Sequence, residues 1–435
     1  MTLSVLDPAP RTYAENIFLL VRSSRGPACA PRDQSIQDVV DWLLHEAARI
    51  DDVILMFEEF LWRCCAVGIP VNRATLHIGT LHPRMVGFSW VWSSLDGICD
   101  EIAASVEALD HDSYKNSPLY RVINNGETIE VDLENPADVG TFPLMPELAA
   151  QGYTSYAAMP LSSTSKMNNA MTFATTMPGG FDKNKHDGAQ QLLNLFALHV
   201  ERHIVQRIAR NVADTYLGPI AGQRVLSGEI RRGDGEAIEA VVLMADMRGF
   251  TKLADRLSGP EVTAILNAYF DRISSAVIGH GGDILKFMGD GVLAVFDQKA
   301  LGEHAAAEAA VKAARAALAA IDELNENPPR HLPDQIHWHP LKIGIGLHRG
   351  EVFFGNVGGE ERLDFTVIGR AVNETSRVEA LCKPLDRTLL LTEPVRAALS
   401  KDVQADLSAM GSHALRGVGQ PVAIFAGEAS TASLQ

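Results

Sequence analysis

The sequence predicts an α+β protein whose second half is built on a ferredoxin-like βαββαβ core. In that half, short β-prone runs and longer amphipathic segments follow one another in the order strand, helix, strand, strand, helix, strand. In the first half, helical segments lie on either side of a group of strand-like segments. Between the halves, a stretch rich in Gly and charge has no hydrophobic period, which predicts a connector between two domains.

Length and charge limit the classes of function. The 435 residues allow two or three domains. With 38 Lys and Arg against 54 Asp and Glu, the formal charge is −16, which argues against nucleic acids or anionic membranes as main partners. No apolar run approaches the ~20 residues of a membrane helix, no export signal opens the chain, and the cysteines are scattered. We therefore expect a cytoplasmic protein that binds neither membranes nor nucleic acid.

The first domain is predicted from helices, a group of strands and a long closing helix. Residues 1–35 contain several prolines and little periodicity, so we expect a loosely ordered arm there. The following residues are helical in pattern to about residue 68, and the segments RATLHIGTLHP, VGFSWVWSS, TSYAAMPLSS and NAMTFATTM are strand-like. This order over residues 36–205 resembles that of a GAF domain, on architecture alone. The resemblance implies a regulatory or dimerisation domain, often with a small-molecule ligand.

A long helix is predicted from residue 183 to residue 217. Its apolar residues lie three or four positions apart and form one stripe: Leu193, Ala197, Val200, Ile204, Ile208 and Val212. Such a stripe suits pairing with the same helix of a second copy, and it equally suits packing on its own domain. Residues 206–235 combine the end of this helix with a Gly-rich segment, and we expect them to connect the two domains.

The second domain places two carboxylates at the ends of predicted strands. The apolar run from Val241 to Ala245 ends in Asp246, which is typical of a buried strand that delivers a carboxylate to its exposed end. Asp290 stands between two glycines and two β-prone runs, which predicts a hairpin turn. Gly249, a little after Asp246, lets the backbone turn tightly and offer N–H groups to an anion as the next helix begins. Paired carboxylates beside a phosphate-sized loop are what a two-metal phosphoryl-transfer site requires.

Four motifs in this domain together resemble the catalytic domain of class III nucleotide cyclases, the adenylate and guanylate cyclase family. The motifs are ADMRGFT, LKFMGDGVLAVF, GIGLHRGEVFFGNVG and DFTVIGRAVNETSRVEAL, within residues 236–428, and residues 429–435 would form a C-terminal tail. The resemblance implies that Asp246 and Asp290 bind two Mg²⁺ or Mn²⁺ ions per active site, assisted by the carbonyl group of Met247. It also implies that Phe250 and Thr251 lie in the loop that cradles the triphosphate.

The same resemblance implies a choice of base. Lys286 and Thr366 occupy positions at which adenylate-specific relatives recognise adenine, whereas guanylate-specific relatives carry Glu and Cys there. The chemistry agrees, because a Lys donor satisfies the N1 acceptor of adenine and a Thr hydroxyl accepts from its 6-amino group. ATP is therefore the expected substrate. Thr in place of Asp also resembles the subgroup that includes bicarbonate-responsive cyclases, so bicarbonate is one candidate regulator beside an unidentified small molecule.

A predicted helix near residue 375 carries the remaining catalytic candidates. Asn373 and Arg377 lie one helical turn apart, so both face the same side of that helix. By resemblance, Asn373 orients the ribose, and Arg377 stabilises the charge on the phosphate as the bond to pyrophosphate breaks. Arg416 occupies the place where relatives have a triphosphate-binding Lys or Arg.

One position departs from the pattern of the relatives. Where some of them carry an Arg close to the phosphates, this chain has Glu351. A carboxylate repels phosphate, so part of the phosphate contact must come from another cation, for which Arg349 and Arg370 are candidates.

These observations together predict an adenylate cyclase that converts ATP into 3′,5′-cyclic AMP and pyrophosphate. In the family, the metal ligands meet the base- and phosphate-contacting residues across an interface between two domains. Because this chain has one catalytic domain with both sets, we expect a homodimer with two equivalent sites. Two alternatives stay open: a guanylate cyclase, and a catalytically degenerate sensor that dimerises through the cyclase fold. A diguanylate cyclase is discounted, since His280 to Asp283 read HGGD without the Glu-Phe that should follow.

Overall fold

The computed structural model describes residues 11, 13, 15–161, 169–181, 186–328 and 338–427. The chain divides into two compact units, residues 1–212 and residues 213–435. Both units combine helices with a mainly antiparallel sheet, so the predicted α+β class is confirmed. Within these described ranges, no helix has the length and apolar character needed to cross a membrane. The predicted tail at residues 429–435 lies outside the described residues.

The first unit contains a seven-stranded antiparallel sheet with the strand order β1-β4-β3-β2-β7-β6-β5. Residues of β2 alternate between its two faces. Leu76 enters the main core, whereas Thr75 and His77 form hydrogen bonds to each other and to Thr172 and Ser89. The strands are β1 (Ile17–Ser23), β2 (Arg73–Gly79), β3 (Met85–Ser93), β4 (Ile98–Ser105), β5 (Ile129–Asp132), β6 (Ser155–Leu161) and β7 (Asn169–Thr175).

Helices of the first unit supply much of its core. Ser35 begins the first helix with a capping box, in which its hydroxyl group and the carboxylate of Asp38 satisfy each other's backbone N–H groups. Phe60 and Phe196, from two different helices, stack with ring centroids 4.2 Å apart. The helices are α1 (Ile36–His45), α2 (Val53–Ala66), α3 (Asp112–Lys115), α4 (Pro118–Asn125), α5 (Pro136–Val139), α6 (Met145–Ala150) and α7 (His186–Leu217).

The apolar stripe of α7 packs on its own unit for most of its length. Ala197, Val200 and Ile204 are buried in the same core as Trp90, and Ile208 packs against it. Of the two interpretations of this stripe, packing on the same domain therefore holds. Leu198 and Val205, which lie outside the stripe, are exposed, and so is Val212, the last member of the stripe.

The prediction of a loosely ordered arm over residues 1–35 is wrong for residues 17–23. They form β1, which pairs antiparallel with β4 at the edge of the sheet. Nε of Arg22 on this strand donates to the buried carboxylate of Asp100 over 2.6 Å. The prolines that suggested disorder lie outside the strand, and the run IFLLVRS supplies β-prone residues. The strand is stable because it pairs with residues distant in the sequence, which a local pattern does not reveal.

The second unit contains an eight-stranded sheet. Its main path has the order β14-β15-β13-β11-β8-β10-β9, and β12 pairs with β11 beside this path. The strands are β8 (Gly235–Met247), β9 (Asp283–Met288), β10 (Gly291–Asp297), β11 (Ile343–Gly358), β12 (Leu363–Ile368), β13 (Leu389–Thr392), β14 (Leu407–His413) and β15 (Val422–Gly427). The helices are α8 (Pro219–Leu226), α9 (Phe250–Ala254), α10 (Gly259–Gly279), α11 (Gln298–Leu301), α12 (Glu303–Glu326), α13 (Arg370–Leu381), α14 (Glu393–Ala397) and α15 (Lys401–Ala405).

The predicted ferredoxin-like core is confirmed in this unit. Along the chain, β8, α10, β9, β10, α12 and β11 give the order βαββαβ. In the sheet, these strands lie in the order β11-β8-β10-β9, and each is antiparallel to its neighbour. Two split βαβ units interleave in this way. β9 and β10 form the predicted hairpin, with Gly289 and Asp290 in its turn.

The two faces of the second sheet are covered by different helices. Ile345 and Leu347 of β11 pack in the core formed with α10 and α12. The intervening Gly346 lies on the other face, where a Cβ atom would stand 2.5 Å from the backbone nitrogen of Glu379 in α13. Gly346 therefore allows α13 to pack directly against the strand, and this close contact fixes the position of α13 over the sheet.

Candidate active site

Asp246 and Asp290 are brought to the same end of the core strands. Asp246 is the residue before last of β8, and its partner on β11 is Gly344. Asp290 stands in the two-residue turn between β9 and β10, after Gly289, whose φ of 65° lies in the left-handed region. Because β10 pairs antiparallel with β8 from the residue before Asp246 onward, the turn places Asp290 beside Asp246.

Asp246 lies in surroundings that disfavour its charge. Burial, followed by the charge of Asp290, raises the pKa of Asp246 to about 6. A third carboxylate approaches from α13, where burial and then the charge of Asp246 raise the pKa of Glu379 to about 7. Burial and these carboxylates also raise the pKa of Tyr269, whose hydroxyl group has no hydrogen-bond partner among the described residues. Negative charge is thus concentrated here.

This arrangement suits divalent cations. Mg²⁺ and Mn²⁺ prefer oxygen ligands, and a cation between two carboxylates removes their repulsion. The guanidinium of Arg248 donates to the carbonyl groups of Cys382 and Arg387, and its charge lowers the pKa of Glu379 in opposition to burial and Asp246. Within the described ranges, no cluster of three or more His, Cys, Asp or Glu side chains is placed to hold a metal ion. Beside carboxylates, Mg²⁺ accepts backbone carbonyl groups, such as that of Met247, nucleotide phosphates and water as oxygen ligands.

The predicted phosphate loop follows directly after β8. Gly249 has a φ of 80°, a conformation that costs glycine little, and α9 begins at Phe250. Phe250 packs against the core of the unit, whereas Thr251 is exposed. The loop therefore presents Thr251 and its neighbouring backbone near the end of β8 that carries Asp246.

Lys286 and Thr366 lie on β9 and β12. Nζ of Lys286 is 2.6 Å from Oδ2 of Asp364. Asp364 stands two residues before Thr366, so both side chains project from the same side of β12. Thr366 is only 4% exposed, and its hydroxyl group has no hydrogen-bond partner in the described part of the chain. A buried hydroxyl group without a partner is uncommon in proteins and marks a place where a ligand or water completes the hydrogen bonding.

Asn373 and Arg377 lie on the outer side of α13. Asn373 is exposed and Arg377 is half-buried. The guanidinium of Arg377 approaches the loop between β14 and β15, because a Cβ atom on Gly417 would lie 3.5 Å from its Nη2. The exposed Arg416 precedes that glycine. The fold therefore places Arg377 close to the loop of Arg416.

A buried network holds the first turns of α13. Nδ1 of His348 on β11 is 2.9 Å from Oγ1 of Thr392, and its Nε2 is 3.1 Å from Oε2 of Glu374. Arg370 donates to the other oxygen of the same carboxylate. Burial lowers the pKa of His348, while the charge of Glu374 acts in the opposite direction. Because Glu374 is next to Asn373, this network fixes the helix segment from which Asn373 projects.

The two arginines considered as replacements for a phosphate contact have partners within the protomer. Nη1 of Arg349 is 2.7 Å from Oε1 of Glu303, and Arg370 pairs with Glu374 as described. Arg416 makes no ion pair with any described residue, so its charge is available to a ligand.

Residues 235–426 match the family model described as the adenylate and guanylate cyclase catalytic domain. This part of the chain is a nucleotide cyclase catalytic domain. The matched range begins at the first residue of β8 and ends within β15, so it covers the whole sheet of the second unit. The predicted class III cyclase family is thereby confirmed for this domain, while the GAF-like nature of the residues before it stays a prediction.

Similar proteins match this chain over the cyclase domain. An adenylate cyclase of Anabaena cylindrica is 33% identical over 192 residues, which are 44% of this chain and 36% of that protein. The adenylyl cyclase CyaB of P. aeruginosa is 28% identical, with a TM-score of 0.40, over 46% of this chain and 98% of that structure. The guanylyl cyclase Cya2 is 30% identical, with a TM-score of 0.38, over 46% of this chain and 99% of that structure. This chain thus spans about a third of the length of the Anabaena protein.

Within one protomer of the cyclase domain, the described contacts do not join the candidate residues into one site. Among the described residues, no hydrogen bond or ion pair joins Asp246 or Asp290 to the other candidate residues, which are Lys286, Thr366, Asn373, Arg377 and Arg416. Sequence reasoning also missed two acidic residues near these residues. Asp364 could have been found from its position two residues before Thr366 on a predicted strand. Glu379 gave no such signal, because its approach to Asp246 depends on how α13 packs.

Proposed function

We propose that this chain is an adenylate cyclase, which converts ATP into 3′,5′-cyclic AMP and pyrophosphate. The observation that carries the proposal is the adjacent pair Asp246 and Asp290 inside a nucleotide cyclase domain. With the carbonyl group of Met247, these carboxylates would hold two Mg²⁺ or Mn²⁺ ions. When bound, such ions supply Lewis acidity at the ribose 3′-hydroxyl group and at the leaving pyrophosphate.

The other residues bind and orient the nucleotide. The 3′-oxygen of the ribose attacks the α-phosphorus in line as the bond to pyrophosphate breaks. Asn373 orients the ribose, and Arg377 stabilises the negative charge that develops on the phosphate. Thr251, with the neighbouring backbone of Phe250, and the unpaired Arg416 contact the triphosphate. These roles rest on the family resemblance, and the exposure of Arg416 and Thr251 to solvent supports them.

Lys286 on β9 and Thr366 on β12 select adenine. Lys286 donates to N1 of adenine, and the hydroxyl group of Thr366 accepts from the 6-amino group. The buried and unpartnered hydroxyl group of Thr366 supports this role, since the 6-amino group would complete its hydrogen bonding.

The active unit is proposed to be a homodimer. Among the described residues, no hydrogen bond or ion pair joins the metal-ligand pair of one protomer to its own Lys286, Thr366, Asn373 or Arg377, and the last two lie on the outer side of α13. A second copy would supply these groups to the metal ligands of the first, and two-fold symmetry would create two equivalent sites.

The first unit is proposed to regulate the cyclase domain. Residues 36–205 would act as a GAF-like regulatory or dimerisation domain, and residues 206–235 would connect it to the catalytic domain. Its separate core and the long helix α7 that leads out of it support this division. The ligand of this unit would be a small molecule. Bicarbonate is a separate candidate regulator, suggested by Thr366 in the cyclase domain.

The test is cyclic nucleotide production by the purified full-length chain with Mg²⁺ or Mn²⁺ and either ATP or GTP. We expect cyclic AMP from ATP, and we expect Asp246→Ala to reduce the rate by about a thousandfold or more, because the cation site is lost. Circular dichroism and thermal unfolding of the variant show whether its fold is intact. Cyclic GMP from GTP as the main product would replace the proposal with a guanylate cyclase. No product from either nucleotide, in the full chain and in residues 213–435, would favour a degenerate sensor.

A further inference from the structure

The ammonium group of Lys286 is held by a carboxylate that no part of the proposed mechanism has used. Nζ of Lys286 lies 2.6 Å from Oδ2 of Asp364, and the two residues come from strands that are far apart in sequence. The Lys286 side chain is 30% exposed and the Asp364 side chain 56% exposed. Such a half-exposed pair contributes little to the free energy of folding, so its effect is on where the ammonium group stands.

The position of Asp364 ties it to base reading. It projects from the same side of β12 as Thr366, whose hydroxyl group is buried and unpartnered. Lys286 on β9 reaches the carboxylate of Asp364, and the hydroxyl group of Thr366 stands two residues further along the same side of β12. We call Lys286, Asp364 and Thr366 the base-reading cluster.

The hydrogen-bonding chemistry of the two purines gives the carboxylate a second effect. Adenine presents an acceptor at N1 and a donor at its 6-amino group, whereas guanine presents donors at N1 and at its 2-amino group. A carboxylate only accepts, so a free carboxylate favours guanine, whereas an ammonium group only donates and favours N1 of adenine. When Asp364 binds Lys286, it orients the ammonium group. The carboxylate is then already engaged as an acceptor and does not favour guanine.

We propose that Asp364 is a specificity-determining residue of the base-reading cluster, which positions Lys286 for adenine and accepts from guanine only when Lys286 is removed. The inference rests on the proposed function, because it takes the cluster as the purine site. It predicts that the two residues are coupled: the effect of changing one depends on the presence of the other.

The test is a double-mutant cycle in the full-length chain with Lys286→Met, Asp364→Asn and the double variant. Steady-state rates with ATP and with GTP give kcat and KM, and competition of ATP and GTP against a fluorescent nucleotide gives binding. We expect Asp364→Asn to raise KM and the dissociation constant for ATP by about tenfold, with kcat changed by less than about threefold. Asp364→Glu should restore much of the ATP affinity, because it keeps the carboxylate.

The measurements with GTP test the coupling between Lys286 and Asp364. Lys286→Met should improve GTP binding relative to ATP by about tenfold, because it frees the Asp364 carboxylate, and the double variant should lose that gain. Glu393→Gln is the matched control, since Glu393 pairs with Arg396 at 3.0 Å and its side chain is 45% exposed. This control should leave both nucleotides within about twofold of wild type.

The outcomes separate this inference from the proposed function. Unchanged ATP binding in Asp364→Asn, or equal GTP gains in Lys286→Met and the double variant, would overturn the role of Asp364. A wild-type chain that binds ATP without making cyclic AMP would overturn the proposed function, while the binding cycle would still decide the role of Asp364. A wild-type chain that binds neither nucleotide would overturn both.

Discussion

Asp283 is a buried carboxyl group that the proposed chemistry does not use. It is the first residue of β9, it is 4% exposed, and its Oδ2 has no hydrogen-bond partner among the residues that the structure describes. A Cβ atom on Gly218 would lie 3.1 Å from its Oδ1, so the chain before α8 packs over it. Burial raises its pKa from 3.8 to about 6. At neutral pH the folded protein therefore holds a charge in surroundings that disfavour it.

Replacing Asp283 should stabilise the protein in a pH-dependent way. Because the folded pKa is raised, the neutral carboxyl group favours the folded state at low pH, and this stability is lost as the pH rises towards 6 and beyond. We expect Asp283→Asn to increase the free energy of unfolding by about 1–3 kcal/mol near pH 8 and by clearly less near pH 4.5. Urea unfolding of the full chain at both pH values measures the difference.

Glu361→Gln is the control for this experiment, since Glu361 is exposed. It should change the free energy of unfolding by less than about 0.5 kcal/mol at either pH. An Asp283→Asn gain of the same size at both pH values would contradict the explanation, because removal of a buried charge must lose its effect where the group is already protonated.

The positions of the candidate residues were predictable wherever the signal is local. Asp246 ends a run of apolar residues, and Asp290 stands between glycines in a hairpin turn, so both were placed from a few neighbours. The partner of Lys286 was not placed, because Asp364 lies on a strand that pairs elsewhere in the sheet. Burial of Asp283 has the same cause: nothing adjacent in the sequence indicates what covers it.

At the scale of elements, α7 illustrates the limit of a periodic pattern. Its stripe of apolar residues was predicted, but the pattern could not decide between its own core and a second copy. The structure places the stripe in the core of the first unit as far as Ile208, and it leaves three apolar residues of α7 exposed, one of which is the last member of the stripe. Leu198 is 63% exposed, Val205 59% and Val212 39%, and they recur every seven residues. A seven-residue repeat keeps one face of a helix towards a partner helix.

If the active unit is a homodimer, this exposed α7 face should contribute to it. We expect Val205→Glu to weaken dimerisation by about tenfold or more, because like charges would meet at the centre of a symmetric helix pair. Analytical ultracentrifugation over a concentration series measures the dissociation constant. Gln206→Glu adds the same charge at the next exposed position, off the seven-residue repeat, and should have a smaller effect. Equal effects of the two variants would show that the charge alone, and not this face, matters.

Strand β1 illustrates the same limit for a sheet. Its residues are consecutive and apolar, without the alternation that marks a half-buried strand, and four of them are between 45% and 47% exposed: Phe18, Leu19, Leu20 and Val21. The strand is held by pairing with β4 and by the Arg22 contact with Asp100. Neither the pairing nor this contact can be inferred from residues 1–35 alone, so the sequence pattern suggested disorder. The core βαββαβ order was predictable because each of its elements has a clear period of its own.

At the scale of the whole molecule, an acidic chain is proposed to bind an anionic nucleotide. The formal charge of −16 repels a triphosphate at long range, so local cations must hold it. The arrangement of the second unit concentrates negative charge at Asp246 and Asp290, where metal ions would bind, and places the unpaired Arg416 and the half-buried Arg377 in another group. Two protomers would bring these complementary charges together.

This arrangement can be tested with two variants that are inactive for different reasons. Asp246→Ala removes a metal ligand, and Arg377→Ala removes the group that stabilises the phosphate. If one site combines the metal ligands of one protomer with Arg377 of the other, a heterodimer of the two variants has one intact site. We expect heterodimers, co-expressed with two affinity tags and purified on both, to recover about half of the wild-type rate, since one of two sites is complete.

A heterodimer of Asp246→Ala with Asp290→Ala serves as the control. Both changes damage the same group of residues, so each of its sites lacks one metal ligand, and the rate should stay as low as in either variant alone. Recovery in this control would mean that the preparation contains wild-type enzyme. An inactive Asp246→Ala and Arg377→Ala heterodimer, with both chains folded and dimeric, would instead place all the catalytic groups within one protomer. Contacts between the metal-ligand pair and Asn373 or Arg377, which the described hydrogen bonds and ion pairs do not include, would then require a movement of α13 against β11, which the tight packing of α13 at Gly346 opposes.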